Sequence, residues 1–525
     1  MKKKIFAFLL SGMMLMGMMP VTAMADTSHT HSVGQDNSQN ETWIAISSLD
    51  GITQDGSYYL TQPVTLNTTW ICDYNVKLCL NGNSITCDAS DSDTIVINND
   101  KTFILTDCQE NAGSVTHSES KTGRGICNNG TFYMYGGNIS GNAVTGPKYS
   151  SEYGKEYKGG GVYNSGTFYM YKGTISSNSV KVNANADEGN YSYGYDYGYG
   201  YDRYYSQFNG GGVYNDGSFT MSGGCILNND ADNDYGGGVY NRNRCELSGS
   251  ALIFNNNARL GGGIYNSGSF TMSGGSINEN HSGGAGGGVL NYTSGTFTMT
   301  GGSITGNKAG GNGGGIMGYS YTQTVTINIS GGTITGNTAD LAGNGIILRG
   351  DTSKTSECAS LKLSGSPDIK DDVFLQDDWF PDAKVDVVGA FTPVTAVPIR
   401  DTSWADNRTI VSYVQGITPD IKHFTPADGH VNEAIIQDGQ NLQSIRTLSV
   451  DFVEDGYIAD GNHKLYKTVR VLPKGTISKN DIPEVTEKGY RVVEWRRADT
   501  REVWDFDNDI VTMSINLYPV LKLNP

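Results

Sequence analysis

The sequence predicts an all-β chain: a parallel β-helix, a solenoid of stacked coils, followed by a smaller β module. Three observations carry this. The first is a returning phrase. Gly-Gly-Gly-[Val/Ile]-Tyr-Asn stands at residues 210–215, 236–241 and 261–266, recurs at 286–291 with leucine for tyrosine, and begins again at Gly313. The apolar residue behind the glycines falls at Val213, Val239, Ile264, Val289 and Ile316, giving spacings of 26, 25, 25 and 27 residues. A fixed period of that size marks a stacked repeat. The second is alternation over runs too short for a helix: Phe270 and Met272 against Thr271 and Ser273, then Phe297 and Met299 one period on. The third is asparagine recurring at set places in two columns.

Each repeat reads as three short strands and three corners. Ile264, Phe270, Met272 and Ile277 point inward, and Gly274-Gly275 supplies a corner that tolerates positive φ. One such coil cannot offset its own ordering entropy, so stacking is obligatory. One asparagine column follows the glycine phrase (Asn164, Asn215, Asn241, Asn266, Asn291). The other closes the third strand (Asn142, Asn178, Asn229, Asn255, Asn280, Asn307, Asn337). In register, each column would form an amide ladder along the axis. A row of ligand-binding amides is the competing reading, but a binding site should vary from coil to coil and these columns do not.

In chain order, residues 1–25 have the form of a signal peptide: Lys2, Lys3 and Lys4, an apolar stretch, and Ala23-Met24-Ala25 as cleavage site. The polar leader 26–41 holds His29 and His31, two ligands where a metal needs more. The formal charge of −17 argues against nucleic acid or anionic lipid as partner. Residues 42–446 are assigned to the β-helix: 42–122 as N-terminal cap and early coils, 123–346 as the regular glycine/asparagine repeats, 347–446 as final coils. Residues 447–525 form the separate module.

Two coils carry insertions behind the third-strand asparagine. The first, 143–158, holds Tyr149, Tyr153 and Tyr157. The second, 179–209, holds Tyr191, Tyr193, Tyr195, Tyr197, Tyr199, Tyr201, Tyr204 and Tyr205 among glycines. Lying at the same corner of consecutive coils, the two must emerge side by side. Tyrosine offers a flat apolar face and a hydroxyl, which suits sugar rings or protein surfaces. A functionless low-complexity expansion is the alternative. At the next coil Asp230, Asp232 and Asp234 alternate as in a calcium loop. However, the glycine comes one place late and Asn241 stands where a bidentate glutamate belongs, so no metal is expected.

The module 447–525 shows Val450-Asp-Phe452, Val469 and Val471 before Gly475, Gly489-Tyr490, Trp495, Trp504-Asp505-Phe506, Val511 and Ile515-Asn-Leu517-Tyr518. In these it resembles the internalin-type B-repeat (Listeria–Bacteroides repeat), a small β-grasp-like domain of bacterial surface proteins. Glu494 departs from that family's glycine, and Tyr518-Pro519 from its Tyr-Ala. Trp495, Trp504 and Phe506, alternating with charges, are expected in a half-buried core. The coil array, through Gly-Gly-Gly-[Val/Ile]-Tyr-Asn and Gly-Gly-Ser-Ile-Thr-Gly-Asn, resembles right-handed β-helix, adhesin-like surface proteins of Gram-positive bacteria. That resemblance implies architecture and a secreted, cell-surface or cell-envelope location, and it names no ligand.

The eight cysteines (Cys72, Cys79, Cys87, Cys108, Cys127, Cys225, Cys245, Cys358) contain no Cys-x-x-Cys pair, so neither a zinc site nor a disulfide framework is indicated. Bridges within the early coils remain open after export. No Gly-Lys-Ser/Thr follows the glycine runs, which corner geometry explains. The expectation is therefore display and binding, toward host or microbial glycan, mucin or another surface protein, through the tyrosine loops. No catalytic residue, cofactor, or membrane span beyond the leader is expected. The alternative is a polysaccharide lyase or hydrolase, for which Asp371, Asp372, Asp377 and Asp378 near Lys370 are the acidic candidates.

Overall fold

The computed structural model describes residues 43–150, 155–183, 204–320, 325–350, 359–375, 383–401, 408–428, 433–454 and 464–524. The signal-peptide and leader assignments lie outside them. One coil shows the plan. Ile264–Asn266 lies on a glycine face, Ser269–Met272 on a phenylalanine face, Ser276–Asn278 on an isoleucine face, and His281–Ala285 on a corner face. Each strand pairs in parallel with the same strand one coil before and after, for example Phe270 with Cys245 and Phe297. The stacks build sheets of 13, 16, 11 and 9 strands respectively, and the body is a parallel β-helix.

Between Ala143 and Ala339 the coils carry a fourth, corner strand where three were predicted, while the earlier and later coils keep three. The corner strand has no apolar alternation that recurs from coil to coil to announce it. Its residues are held by backbone bonds between rungs, such as His281 N–H to Asn256 O at 2.9 Å.

Ile264, Phe270, Met272 and Ile277 are each 0% exposed, as the alternation requires. They belong to one continuous core from Ile46 to Leu442. Inward phenylalanines stack along the axis, Phe132 on Phe168 at 4.6 Å, Phe168 on Phe219 at 4.8 Å and Phe270 on Phe297 at 4.9 Å. Cys245 fills the same slot as a small buried apolar residue.

Both asparagine columns are buried ladders. On the glycine face the amide of Asn128 donates to Asn164, which donates to Asn215, Asn241, Asn266 and Asn291 in turn, at 2.6–2.7 Å. The second ladder runs Asn142, Asn178, Asn229, Asn256, Asn280, Asn307, Asn337 at 2.9–3.0 Å and ends on the Asp371 carboxylate. Asn256, not Asn255, is the member from its coil. Asn255 is exposed with φ +51° and bonds Asn228 instead. Each ladder residue sits three places after the inward isoleucine, and Asn255 is one place short.

The glycine phrase follows from crowding. Gly261 has φ +67°, and a Cβ there would meet Ile264 O and Tyr265 within 2.8 Å. At Gly262 it would lie 2.3 Å from His281 O, and at Gly263 2.6 Å from Gly288 O. No side chain fits any of the three.

The early strands Gly56–Leu60, Val76–Cys79, Ile95–Ile97 and Thr102–Thr106 continue the stacks, with Trp43–Ile46 outermost. At the far end the pattern changes. Glu433–Asp438 and Asn441–Arg446 form a hairpin that pairs antiparallel with Arg408–Tyr413, so the last strands cap the helix rather than coil. Buried Arg408 pairs with Asp401 there, and Asp401 also accepts from Ser444 Oγ at 2.6 Å.

Beyond Arg446 the chain forms its own sheet, ordered Leu465–Val471, Leu448–Val453, Ile515–Leu523, Tyr490–Arg497, with the middle pair parallel. Val450, Phe452, Trp495, Trp504 and Leu517 are its buried core, with Phe506 packed at the margin. Among the described residues no helix is long and apolar enough to cross a membrane.

Candidate functional site

The strand Val-Tyr-Asn alternates, so valine and asparagine enter the core and the middle residue points out. That outward column should be exposed, yet Tyr214, Tyr240, Tyr265, Leu290, Met317, Ile347 and Phe374 are all buried. The corner strands cover them. Because the glycine triplet reverses the chain tightly, Tyr235, Leu260 and Ala285 pack against the outward side of the neighbouring strands, with Tyr292 and Tyr319 beside them. Between the two sheets runs a groove of about 650 Å³.

Its wall is aromatic and follows the axis. Tyr235 lies 5.0 Å from Tyr265, which lies 5.5 Å from Tyr292, itself 5.7 Å from Tyr319. Beneath, Tyr214 stacks on Tyr240 and Tyr240 on Tyr265, each at 4.8 Å. Two guanidinium groups flank the row, Arg259 5.2 Å from the Tyr235 ring centre and Arg349 5.8 Å from that of Tyr319. Gln207 and Asn312 add amides. Burial pushes the Tyr240 and Tyr265 hydroxyls far above the ordinary tyrosine value, so they stay protonated. Ring faces beside guanidinium and amide donors can meet both the apolar and the polar side of a small ligand.

At the early end stands a charged cluster drawn from three coils. Lys158 contacts Glu156 at 2.8 Å and Asp216 at 3.9 Å, and Arg242 lies 3.7 Å from each of these carboxylates. Arg242 also donates to Tyr214 Oη at 3.1 Å. Burial raises the Tyr214 hydroxyl strongly, against the effect of that bond. Glu156 pairs in register with the groove residue Gln207, so cluster and groove adjoin.

The insertions emerge here. Ser179–Val182 and Gln207–Asn209, the ends of the longer one, are strands of the corner sheet, as is Glu156–Lys158 from the shorter. The two insertions do lie together: Tyr149 pairs antiparallel with Tyr205, and Ser150 with Tyr204. Tyr157 is half-buried, its ring stacked on Phe208 at 5.2 Å and seated over Gly146, where a Cβ would come within 2.1 Å of it. Tyr153, Tyr191, Tyr193, Tyr195, Tyr197, Tyr199 and Tyr201 lie outside the described residues.

The three alternating aspartates fall in the corner strand Asp230–Tyr235 rather than in a loop. Asp230 accepts from the Asn257 amide at 2.8 Å. Asp234 accepts from Phe208 N–H at 2.8 Å and lies 3.8 Å from Arg259. Asp232 shares the strand. Among the acidic candidates, Asp371 terminates the second ladder, and Asp372 accepts from Asn344 N–H at 2.7 Å. Asp377, Asp378 and Cys358 are outside the described residues.

The groove itself was missed in the sequence. Its signal was present, since every glycine phrase carries an outward tyrosine or apolar residue, but the strand that folds over it has no periodicity. Comparison with protein-family models, with curated proteins and with solved structures finds no match.

Proposed function

We propose that this is an exported surface protein whose β-helix holds a glycan chain along the tyrosine groove, with the corner insertions extending the contact. The observation that carries the reading is the row Tyr235, Tyr265, Tyr292 and Tyr319, whose rings follow one another along the axis at 5.0–5.7 Å, flanked by Arg259 and Arg349. A linear ligand meets a repeated wall with a repeated contact, and arginine beside tyrosine favours sugars bearing carboxylate or sulfate. The basic and apolar start of the chain supports export. The likeness of residues 447–525 to B-repeats supports a place at the envelope of a Gram-positive cell, in an adhesin-like role.

The test is binding of the chain from residue 26 onward to glycan and mucin arrays. Loss of signal in Tyr292→Ala and Arg259→Ala supports the groove, and unchanged binding in both sinks it. The contribution of the tyrosine loop is read by deleting 184–203. The wider deletion 179–209 would remove two strands of the corner sheet and confound folding with binding.

The cluster Glu156, Lys158, Asp216 and Arg242 favours one second reading, a polysaccharide lyase or hydrolase. It places carboxylates beside cations at the groove's end, as acid and base chemistry on an acidic sugar requires. Chain cleavage of acidic polysaccharide in the presence of calcium, abolished by Arg242→Ala, would establish it.

A further inference from the structure

Cys79 ends the strand Val76–Cys79, and Cys108 lies just past the strand Thr102–Thr106 on the next coil. Cys79 is in register with Thr106, so both sulfurs arrive at one corner, 3.7 Å apart. Cys79 is fully buried and Cys108 is exposed. We propose that Cys79 and Cys108 form a disulfide that staples two successive early coils of the β-helix.

The position has a mechanical reason. The glycine-face ladder begins at Asn128; the second begins at Asn142, and His117, bonded to Asn142 Oδ1 at 2.8 Å, carries it one coil further, so neither column reaches the coil that holds Cys79. A covalent link would tie rungs there that the ladders do not, closing a loop of 29 residues in the unfolded chain. The sulfurs need only approach from 3.7 Å to bond length.

Zinc is the competing occupant, since Asp107 lies beside the two thiols. Its carboxylate is already committed. Oδ1 accepts from Gly82 and Gln109 N–H at 3.1 and 2.9 Å, and Oδ2 accepts from Gly113 N–H at 2.6 Å. Two sulfurs without a free third ligand favour the covalent bond.

Formation follows thiol exchange with an external disulfide, such as oxidised glutathione or a dithiol oxidase. The Cys108 thiolate attacks it and releases one external thiol. Cys79 then attacks the Cys108 sulfur of the mixed disulfide, and the second external thiol leaves. The protein loses two electrons and two protons, and the external disulfide gains both. Burial raises both thiols above the ordinary value, which slows the first step without a catalyst. It also makes Cys79 a poor leaving group, so the finished bond resists reduction.

The pairing rests on the export reading only for where oxidant is met. The test is therefore run on the purified full chain in a defined glutathione buffer, independent of location. After oxidation, denaturation without reductant, alkylation and digestion, a peptide pair joined through Cys79 and Cys108 is expected, about 2 Da lighter than the sum of its reduced halves. Cys108→Ser, at an exposed position, should leave Cys79 open to alkylation in the unfolded chain and lower the melting temperature of the oxidised protein by several degrees. Separate alkylation of Cys79 and Cys108 in the oxidised wild type would overturn the proposal. So would protection of both thiols at unchanged mass with zinc bound.

Discussion

The glycine-face strands carry two columns that obey different rules. Inward, Asn128, Asn164, Asn215, Asn241, Asn266 and Asn291 repeat over six coils before Gly318 takes the place and the ladder stops. Outward, on the same strands, the series runs Cys127, Tyr163, Tyr214, Tyr240, Tyr265, Leu290. The difference is one of satisfiability. A buried amide must find a donor and acceptor on each neighbouring coil, so one foreign residue breaks two rungs. The outward residues need only apolar contact with the corner strands, and that tolerates tyrosine, leucine or methionine. The fold thus rests on the amide side, and the other side is free to vary.

The largest expected effect lies inside. Phe270→Ala opens a cavity in a fully closed core and should cost about 3–5 kcal/mol in denaturant unfolding. A loss below about 1 kcal/mol would mean the ring is not packed between its neighbours.

Asn266→Ala should cost about 1–3 kcal/mol, because the Asn241 amide loses its shortest acceptor and the buried Asn291 Oδ1 loses the donor that Asn266 supplies. Met317→Leu, in the outward column, should cost less than about 1.5 kcal/mol. Equal costs for the two would erase the distinction between the sides.

The outward tyrosines give a pH dependence. Tyr214, Tyr240 and Tyr265 have hydroxyls held by burial above the ordinary tyrosine value of about 10. Below pH 10.0 both folded and unfolded chains keep the proton, and the stability from this source is fully present. As pH rises past that value the unfolded chain ionises first, and stability falls. The melting temperature should therefore decline from about pH 10 upward, less steeply in Tyr265→Phe. Identical slopes would show that Tyr265 ionises freely.

The smallest effect on stability belongs to Tyr292→Ala, about 1 kcal/mol or less at a half-buried site. Its effect on glycan affinity should be larger, about tenfold, or roughly 1.4 kcal/mol. The reverse order would make the groove a packing seam.

Much of this was legible in the sequence. The period set the coils, Phe270 and Met272 gave a strand its inward face, and Trp495 and Trp504 announced a second core. The fourth strand was hidden because its alternation does not recur: Asn257–Leu260 alternates through Ala258 and Leu260, but His281–Ala285 puts Ser282 in the buried place of Ala258, and both are strands by virtue of the coils on either side. The Asn255 misplacement came from two adjacent asparagines, and a fixed offset from Ile253 would have resolved it. The charged cluster was unreadable because Glu156, Lys158, Asp216 and Arg242 meet only when three coils and an insertion are stacked.

The most direct test is a distance between spin labels at Thr174 and Thr333, both on the isoleucine face, in a chain with its exposed cysteines replaced. These positions are joined rung to rung through Cys225, Leu252, Ser276 and Ser303. Five rungs at about 4.8 Å predict a single narrow distribution near 24 Å. A broad distribution, or a separation beyond about 40 Å, would contradict a stack of coils in register.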